Sequence, residues 1–497
     1  MDLSLDGLSL DGQLPVERAS GAELNCLTDD CLVAIFRSLP AWPDLAVASL
    51  VCRKFARIVS RHRGLWSRLE LCGDHRRTGQ AQPVVSDSVV AALARRAGPA
   101  LESLSVRGCD RVTGVGLRAV VAHCGGRKLA SIELSDCLGL CFCGVITLLS
   151  ATNVQHLVLG GLHAATEPEL TASESPTQNF RSLTNIKLDD CHFTADELAS
   201  ALQQCPRLQH LEIMAPPKEI AAQLAHVVAA STIAAQLHTL QLGKPMTRQW
   251  TESISMADES MQAEGSATMS QSFDGAEANQ FRDDALAASD ASIKHLFQRC
   301  SSGLLTSLEL SGFCGLVGSS FEYAPCASLV QLSLRGCSGL VSLPLPECPA
   351  LTSLDLEECC GLMDSTLIMI GVRCPALVEL NLESCEHFCD AAINSAIEAG
   401  GFRCLLRINT MGCPLISSGG IVAMAHAGNG RLQQLAVGFD RAAVRSLNVP
   451  AAVSLPDDES MRAVWRWLAP MDTTGLSTVI HVCPLTALGE FNGHIYA

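Results

Sequence analysis

The fold is decided by three segments that repeat one pattern: residues 329–337 read LVQLSLRGC, residues 351–359 read LTSLDLEEC, and residues 377–385 read LVELNLESC. The shared frame is L-x-x-L-x-L-x-x-C, and successive copies start 22 and 26 residues apart. On a β-strand, side chains two residues apart point to the same face, so the second and third leucines enter the core while the residues flanking them face outward. The small, apolar cysteine suits the tight turn after the strand. Units of this kind are unstable alone and need stacked neighbours to complete a core.

This frame and its period resemble the leucine-rich repeat in its cysteine-containing form, in which Cys replaces the more common Asn. The resemblance implies one strand and one helix per repeat, stacked into a curved solenoid. Further copies, several of them imperfect, begin at Leu101, Leu129, Val154, Leu183, Leu208, Leu237, Leu305, Leu405 and Leu432. We therefore predict an α/β fold with two blocks of repeats, residues 72–244 and 291–440.

Three segments lie outside the repeat frame. Residues 1–23 begin with LSLDG written twice, a low-complexity sequence that we predict to be disordered. Residues 245–290 interrupt the repeats. Within them, residues 251–290 contain nine Asp or Glu and one Arg, with no periodic apolar face, which predicts an acidic disordered insertion. Residues 441–497 do not follow the frame, and we expect this tail to cap the last repeat with a helix at residues 461–468.

Composition narrows the functional class. Of the 497 residues 48% are hydrophobic but only 4% aromatic, which favours a long stack of Leu, Ala, Val and Cys side chains over a barrel or sandwich. A net charge of −16 argues against nucleic acid or an anionic membrane as the main partner. No signal peptide and no apolar run of about 18 residues is found, so we expect no membrane span and a location in the cytosol or nucleus. Most of the 24 cysteines are expected to be buried thiols.

Residues 24–71 have a different, helical pattern. Apolar residues at 32, 35, 36 and 39 are spaced as on one helix face, Thr28 or Asp29 can cap the helix start, and Pro40 breaks the chain. A second helical stretch runs from Asp44 to about Ile58. Helices this short make a small core, so we expect the segment to lean on a neighbour.

The same segment resembles an F-box, and the residues that carry the resemblance are Leu27, Asp30, Leu32, Ile35, Phe36, Leu39, Asp44, Leu45, Ser49, Val51, Cys52, Arg53 and Trp66. Thr28 stands where the family usually has Pro, and Phe55 where it usually has Trp. The resemblance implies that the helices bind a Skp adaptor, which links to a cullin and a RING subunit in an SCF ubiquitin ligase. The adaptor-binding face carries over to Leu27, Leu32, Ile35, Phe36, Leu39, Leu45 and Cys52.

The outward strand positions of the second block are the candidate substrate-binding residues. They comprise five carboxylates, two arginines and an asparagine: Glu309, Arg335, Asp355, Glu357, Glu379, Asn381, Glu383 and Arg407. Like charges on neighbouring strands repel unless a partner or solvent compensates. The pattern therefore predicts a docking site for a protein substrate of basic character, with a solvated acidic face as the alternative.

No P-loop, H-E-x-x-H or G-x-S-x-G signature occurs, and no cysteine pair has zinc spacing, so we expect no catalytic residue, metal or cofactor. An F-box followed by cysteine-containing repeats resembles the non-catalytic substrate-recognition subunit of an SCF-type ligase, which acts in ubiquitin-dependent protein degradation. The main alternative is an interaction scaffold whose F-box-like segment packs against its own repeats. A small-molecule co-receptor, as in plant hormone receptors of this architecture, would usually bring a basic pocket. A GTPase-activating repeat protein or other enzyme would need an exposed catalytic Arg.

Overall fold

The computed structural model describes residues 27–73, 84–124, 128–140, 145, 153–162, 180–244, 290–300, 302–427, 434–439 and 479–484. They fall into two compact units, which consist of residues 1–193 with 204–207 and residues 194–203 with 208–497. Three of the predicted segments lie outside the described residues. They are the N-terminal segment 1–23, residues 245–289 of the insertion, and the capping helix at 461–468.

Three short helices open the first unit: α1 (Asp29–Phe36), α2 (Ala46–Val51) and α3 (Arg53–Arg61). Thr28 caps α1, because its hydroxyl oxygen accepts a hydrogen bond from the backbone N–H of Cys31 at 3.3 Å. Thr28 therefore begins the helix with a side-chain cap, at the position where the F-box pattern usually has Pro.

The core of this helical segment is aromatic and aliphatic. The rings of Phe36 and Phe55 meet edge to face with centroids 5.0 Å apart, so Phe55 fills the place of the family's Trp with an aromatic ring that packs. Trp66 is buried, and its indole N–H donates to the carbonyl of Val59 at 3.1 Å. The turn Ala41–Leu45, which joins α1 to α2, contacts the first strand of the repeats.

Parallel strands then follow in sequence order within the first unit: β1 (Arg68–Cys72), β2 (Ser103–Arg107), β3 (Ser131–Ser135), β4 (His156–Gly160) and β5 (Asn185–Asp189). Helix α4 (Asp87–Ala97) follows β1, and α5 (Gly114–Cys124) follows β2. The second and third leucine positions of each frame are buried, as in Leu157 and Leu159 of β4. Because the pairing is in register, these apolar side chains stack into one continuous core.

The second unit continues the pattern with β6 (His210–Met214), β7 (Thr239–Gly243), β8 (Ser307–Ser311), β9 (Gln331–Ser333), β10 (Ser353–Asp355), β11 (Glu379–Asn381), β12 (Arg407–Thr410), β13 (Gln434–Phe439) and β14 (Val479–Pro484). The helices are α6 (Ala195–Gln203), α7 (Lys218–Ala221), α8 (Leu224–Ala230), α9 (Asp290–Arg299), α10 (Asp364–Arg373), α11 (Asp390–Glu398) and α12 (Ser418–Ala427). The predicted fold class, a helical N-terminal segment followed by parallel strands that alternate with helices, is confirmed. Strand β14 pairs in register with β13 and shows that the tail contains a strand, although its sequence departs from the frame.

Within residues 302–427, two repeats differ from the predicted strand-plus-helix unit. A 3₁₀ turn (Ser319–Tyr323) replaces the α-helix between β8 and β9, and no helix is found between β9 and β10. These two frames start only 24 and 22 residues before the next one, which leaves little chain for a helix. Pro344 and Pro346 also disfavour a helix, because proline has no N–H to donate and its ring clashes with the preceding turn.

The frame cysteines are buried and act as hydrogen-bond donors to the preceding repeat. The thiol of Cys359 donates to the carbonyl of Leu334 at 3.1 Å, and that of Cys385 donates to Leu356 at the same distance. Burial raises the pKa of the Cys337 thiol to about 12, so it stays protonated and able to donate. A cysteine therefore fills the turn and also donates a hydrogen bond to a buried carbonyl, whereas alanine has no side-chain donor.

An aspartate at the first position of a helix links consecutive repeats, and sequence reasoning missed it. The carboxylate of Asp290 accepts backbone N–H bonds from Val317, Gly318 and Ser320 of the next repeat at 2.8–3.1 Å. Burial alone would raise the pKa of Asp290, but these bonds hold it below its usual value. Equivalent bonds to a following loop are made by Asp87, Asp364 and Asp390.

Candidate interaction surfaces

Neither a metal centre nor a membrane-crossing helix is found in the part of the chain that the structure describes. No group of three or more His, Cys, Asp or Glu side chains there is arranged to hold a metal ion. No helix among the same residues has both the length and the apolar character to cross a bilayer. The two regions that the sequence pattern predicts as binding surfaces are described next, first the helical segment and then the strands of the second unit.

The predicted adaptor-binding residues do not share one environment. Leu32, Phe36 and Leu45 are buried inside the chain itself. Of the others, Ile35 is 42% exposed, whereas Leu27, Leu39 and Cys52 are partly exposed. The physical reason is that three helices of six to nine residues have few apolar side chains, and those on the inward stripe are needed for the domain's own core. Their contact with an adaptor stays a prediction.

Helix α2 is apolar, yet none of its six residues is buried. Val47, Leu50 and Val51 are 46%, 58% and 66% exposed. They are spaced i, i+3 and i+4, so they lie on one side of the helix, and we refer to these three residues as the α2 surface. The sequence pattern placed Val51 on one helical face with Leu45 and Phe55, which are buried, and did not single out Val47 or Leu50. Periodicity shows which residues share a face but not which face the chain covers.

The predicted substrate-binding residues of the second unit lie in register on the outward side of the strands. Glu309 is beside Ser333, which is beside Asp355, and the row continues to Asn381 and Asn409. A second row, just after the strands, holds Arg335, Glu357 and Glu383. The structure thus brings the predicted residues together on adjacent strands.

The carboxylates of these two rows are paired within the chain. Arg335, only 7% exposed, donates to Glu357 at 2.8 Å and has its Nε 3.6 Å from Asp355. The Asn381 amide donates to the other Glu357 oxygen at 3.1 Å, and that of Asn409 donates to Glu383 at 2.8 Å. We call Arg335, Asp355, Glu357, Asn381, Glu383 and Asn409 the strand-face network.

The expected repulsion between carboxylates on neighbouring strands is partly offset, because side-chain donors lie between the carboxylates. Asn381 and Asn409 carry the compensation through their amide N–H groups, a role that the sequence pattern does not reveal. Glu379 likewise forms an ion pair with Arg407. Glu309 accepts a hydrogen bond from the hydroxyl of Ser311 at 2.8 Å. Whether the network also binds a substrate stays a prediction.

The network also has a local structural task. The side-chain oxygens of Asp355, Asn381 and Asn409 each accept the backbone N–H two residues further on, at 3.0–3.1 Å. This Asx geometry turns the chain away from the strand. An Asp or Asn is therefore favoured at this position for the turn alone.

Protonation equilibria in the network are shifted by burial. Burial raises the pKa of Asp355 to about 7, against the lowering effects of Arg335 and of the Glu357 N–H. Burial and the nearby Glu357 charge also raise the pKa of Glu383. Burial would lower the pKa of Arg335, but its bond to Glu357 and the surrounding carboxylates raise it. Arg335 is therefore charged, while Asp355 is on the border between its two forms near neutral pH.

Of the two candidate regions, comparison with known proteins finds a match for the helical segment. Residues 27–72 match the F-box-like family model. No curated protein matches the sequence significantly. A solved structure, the yeast complex of Rad7 and Elc1, is similar over 88% of this chain and 93% of that chain, with 14% identity and a TM-score of 0.40, a likeness too low to support an argument. The helical segment at residues 27–72 is therefore an F-box-like domain.

Proposed function

We propose that this protein is the substrate-recognition subunit of an SCF-type ubiquitin ligase. The F-box-like domain binds a Skp-type adaptor, which connects to a cullin and a RING subunit, and the repeats hold a protein substrate. The chain needs no catalytic residue for this role, since raising the local concentration of substrate near the ubiquitin carrier accelerates transfer by orders of magnitude. The observation that supports the proposal most is helix α2, which is apolar and has no buried residue.

The exposed side of α2 leaves apolar side chains in contact with water, which is energetically unfavourable. Fully burying a Val or Leu side chain is worth about 1.5–3 kcal/mol, and the chain leaves three of them on this helix about half in water. Single exposed apolar residues are ordinary, but three on one helix face, in a domain whose family model matches, favour a partner surface. A groove on the adaptor would supply the missing burial.

The scaffold alternative accounts for a different part of the domain. The turn Ala41–Leu45 contacts β1, and the guanidinium of Arg96 on α4 lies 5.3 Å from the ring centre of Trp66. The F-box-like domain therefore does pack against its own repeats, as that alternative requires. These contacts leave the α2 surface exposed, so the scaffold hypothesis does not explain why α2 is apolar.

For the substrate, the proposal assigns the outward strand residues of the second unit. Their polar side chains are held in fixed positions by the strand-face network, and such preorganisation reduces the entropy lost on binding. Carboxylates outnumber arginines at these outward positions, so hydrogen-bond acceptors predominate there, and this supports a substrate of basic character.

The test is adaptor binding by the full-length protein and by the double variant Leu50→Asp, Val51→Asp. A charge placed in an apolar groove should reduce affinity at least on the order of a hundredfold. The matched control is Met369→Asp, Val372→Asp, which changes two exposed apolar residues of α10 in the second unit. If the wild-type protein captures no adaptor, or if both double variants bind as well as wild type, the proposal is wrong.

A further inference from the structure

The F-box-like domain is basic although the chain is acidic. Residues 27–72 contain seven Lys or Arg against four Asp or Glu, whereas the whole chain has a net charge of −16. Arg53, Arg57 and Arg61 follow one another at four-residue spacing along α3, and all three are exposed. The residues of α3 that enter the core are Phe55, Ile58 and Val59. The three arginines therefore form a row on the solvent side of the helix, opposite the core.

The arginine row has little compensation within the domain. Arg57 lies 3.7 Å from Asp29, and both side chains are about half exposed. In the described part of the chain, no carboxylate forms an ion pair with Arg53 or Arg61. Like charges four residues apart on a helix repel one another, and this repulsion disfavours the row unless a partner compensates the charge.

The arginine row adjoins the α2 surface. Val51, the most exposed residue of that surface, is separated from Arg53 by Cys52 alone, and α2 packs directly against α3. Cys52 marks the bend, since its sulfur accepts the backbone N–H of Phe55 at 3.5 Å and begins α3. An apolar patch with charged residues at its rim is the arrangement found in protein–protein interfaces.

We infer that the α2 surface and the arginine row form one docking site whose protein partner is acidic. The partner presents an apolar groove to Val47, Leu50 and Val51 and carboxylates to Arg53 and Arg61. This inference rests on the proposed function, in which that partner is the Skp-type adaptor, and it adds the charge that the adaptor's groove must have. Nucleic acid fits the site less well, because a short row of three arginines beside an apolar helix offers few phosphate contacts on a chain this acidic.

The experiment measures adaptor affinity and association rate for the full-length protein at about 0.1 M and 1 M salt, where the Debye length is about 10 Å and 3 Å. The variant is Arg53→Glu, Arg61→Glu. The matched control is Arg118→Glu, Arg207→Glu, which makes the same change in net charge at two exposed arginines outside the F-box-like domain. Thermal unfolding of all three proteins should coincide, since each replaced side chain is exposed.

The expected result has two parts. At low salt the F-box variant binds the adaptor on the order of tenfold more weakly, mainly through slower association, and the control binds like wild type. At high salt the wild type and the F-box variant converge, because the ions screen the charges.

Two results would overturn the inference in distinguishable ways. In the first, wild-type affinity for the adaptor is the same at both salt concentrations, and the Arg53→Glu, Arg61→Glu variant binds equally well. This result would contradict an acidic partner surface and leave the adaptor role intact. No wild-type binding to the adaptor at either salt, with capture of RNA or anionic vesicles instead, would overturn both the inference and the proposed function.

Discussion

The two candidate surfaces differ in how far the chain satisfies its own side chains. The α2 surface is apolar and about half exposed, whereas the strand-face network is polar and internally paired through Arg335, Asn381 and Asn409. A surface that is unsatisfied alone favours a stable partner, since burial of its apolar area is gained only on binding. A surface that already pairs its own groups is suited to weaker, selective contacts at the groups left over.

The first prediction separates core from surface within the F-box-like domain. Leu32→Ala with Phe36→Ala removes two buried side chains, and large-to-small changes of this kind cost about 2–5 kcal/mol each. We expect the domain to lose cooperative unfolding, seen as loss of amide hydrogen-exchange protection over residues 29–61, while protection in the second unit is retained. Normal protection with loss of adaptor binding would instead place these two residues on the partner surface.

The second prediction concerns the centre of the strand-face network. Arg335→Met leaves Glu357 and Asp355 without their cation, and removing one member of a buried ion pair costs about 3–5 kcal/mol. Chemical denaturation of the full-length protein measures the loss. Arg407→Met is the matched control, because its pair with Glu379 is more exposed and should be worth less than about 1 kcal/mol. Equal effects of the two changes would show that the network is not internally dependent on Arg335.

The third prediction is a pH dependence carried by Asp355. Its pKa in the folded chain is raised to about 7, so unfolding releases a proton and the folded state loses stability as pH rises from about 4 to 7. Asp355→Asn keeps the oxygen that accepts the Glu357 N–H, as Asn381 does for Glu383, and should remove this loss. Chemical denaturation at a series of pH values measures the free energy of unfolding of both proteins. Between pH 5 and pH 8, we expect the difference in this free energy to shift in favour of the variant by on the order of 1–3 kcal/mol. If the free energies of unfolding of the two proteins change in parallel with pH, Asp355 does not carry the pH dependence.

The fourth prediction has the smallest expected effect on stability. Val47→Asp or Leu50→Asp should change the free energy of unfolding by no more than about 0.5 kcal/mol, because neither side chain packs in the core. Thermal unfolding without adaptor gives the measurement. A loss of several kcal/mol would show that the α2 surface is covered by the chain itself and would remove the main support for the proposed function.

Reasoning from sequence succeeded where periodicity carries the information. The spacing of leucines in the frame predicted the parallel strands, and the frame cysteine predicted a buried thiol, as Cys359 shows. The F-box pattern at residues 24–71 agrees with the family match at 27–72. These features are local, since each strand repeats the same inward and outward alternation regardless of its neighbours.

Sequence by itself therefore determined the repeat unit, the position of the helical domain and the outward residues of the strands that follow the frame, such as Asp355 of β10. Only the tertiary structure decided which apolar face of the F-box-like helices is covered and which is open, because Leu32 and Leu50 look alike until their neighbours are in place. It alone showed that Asn381 and Asn409 neutralise the acidic rows and that Asp290 joins two repeats. These contacts join residues at least 24 positions apart, and their pairing depends on the register between strands, which no local pattern specifies.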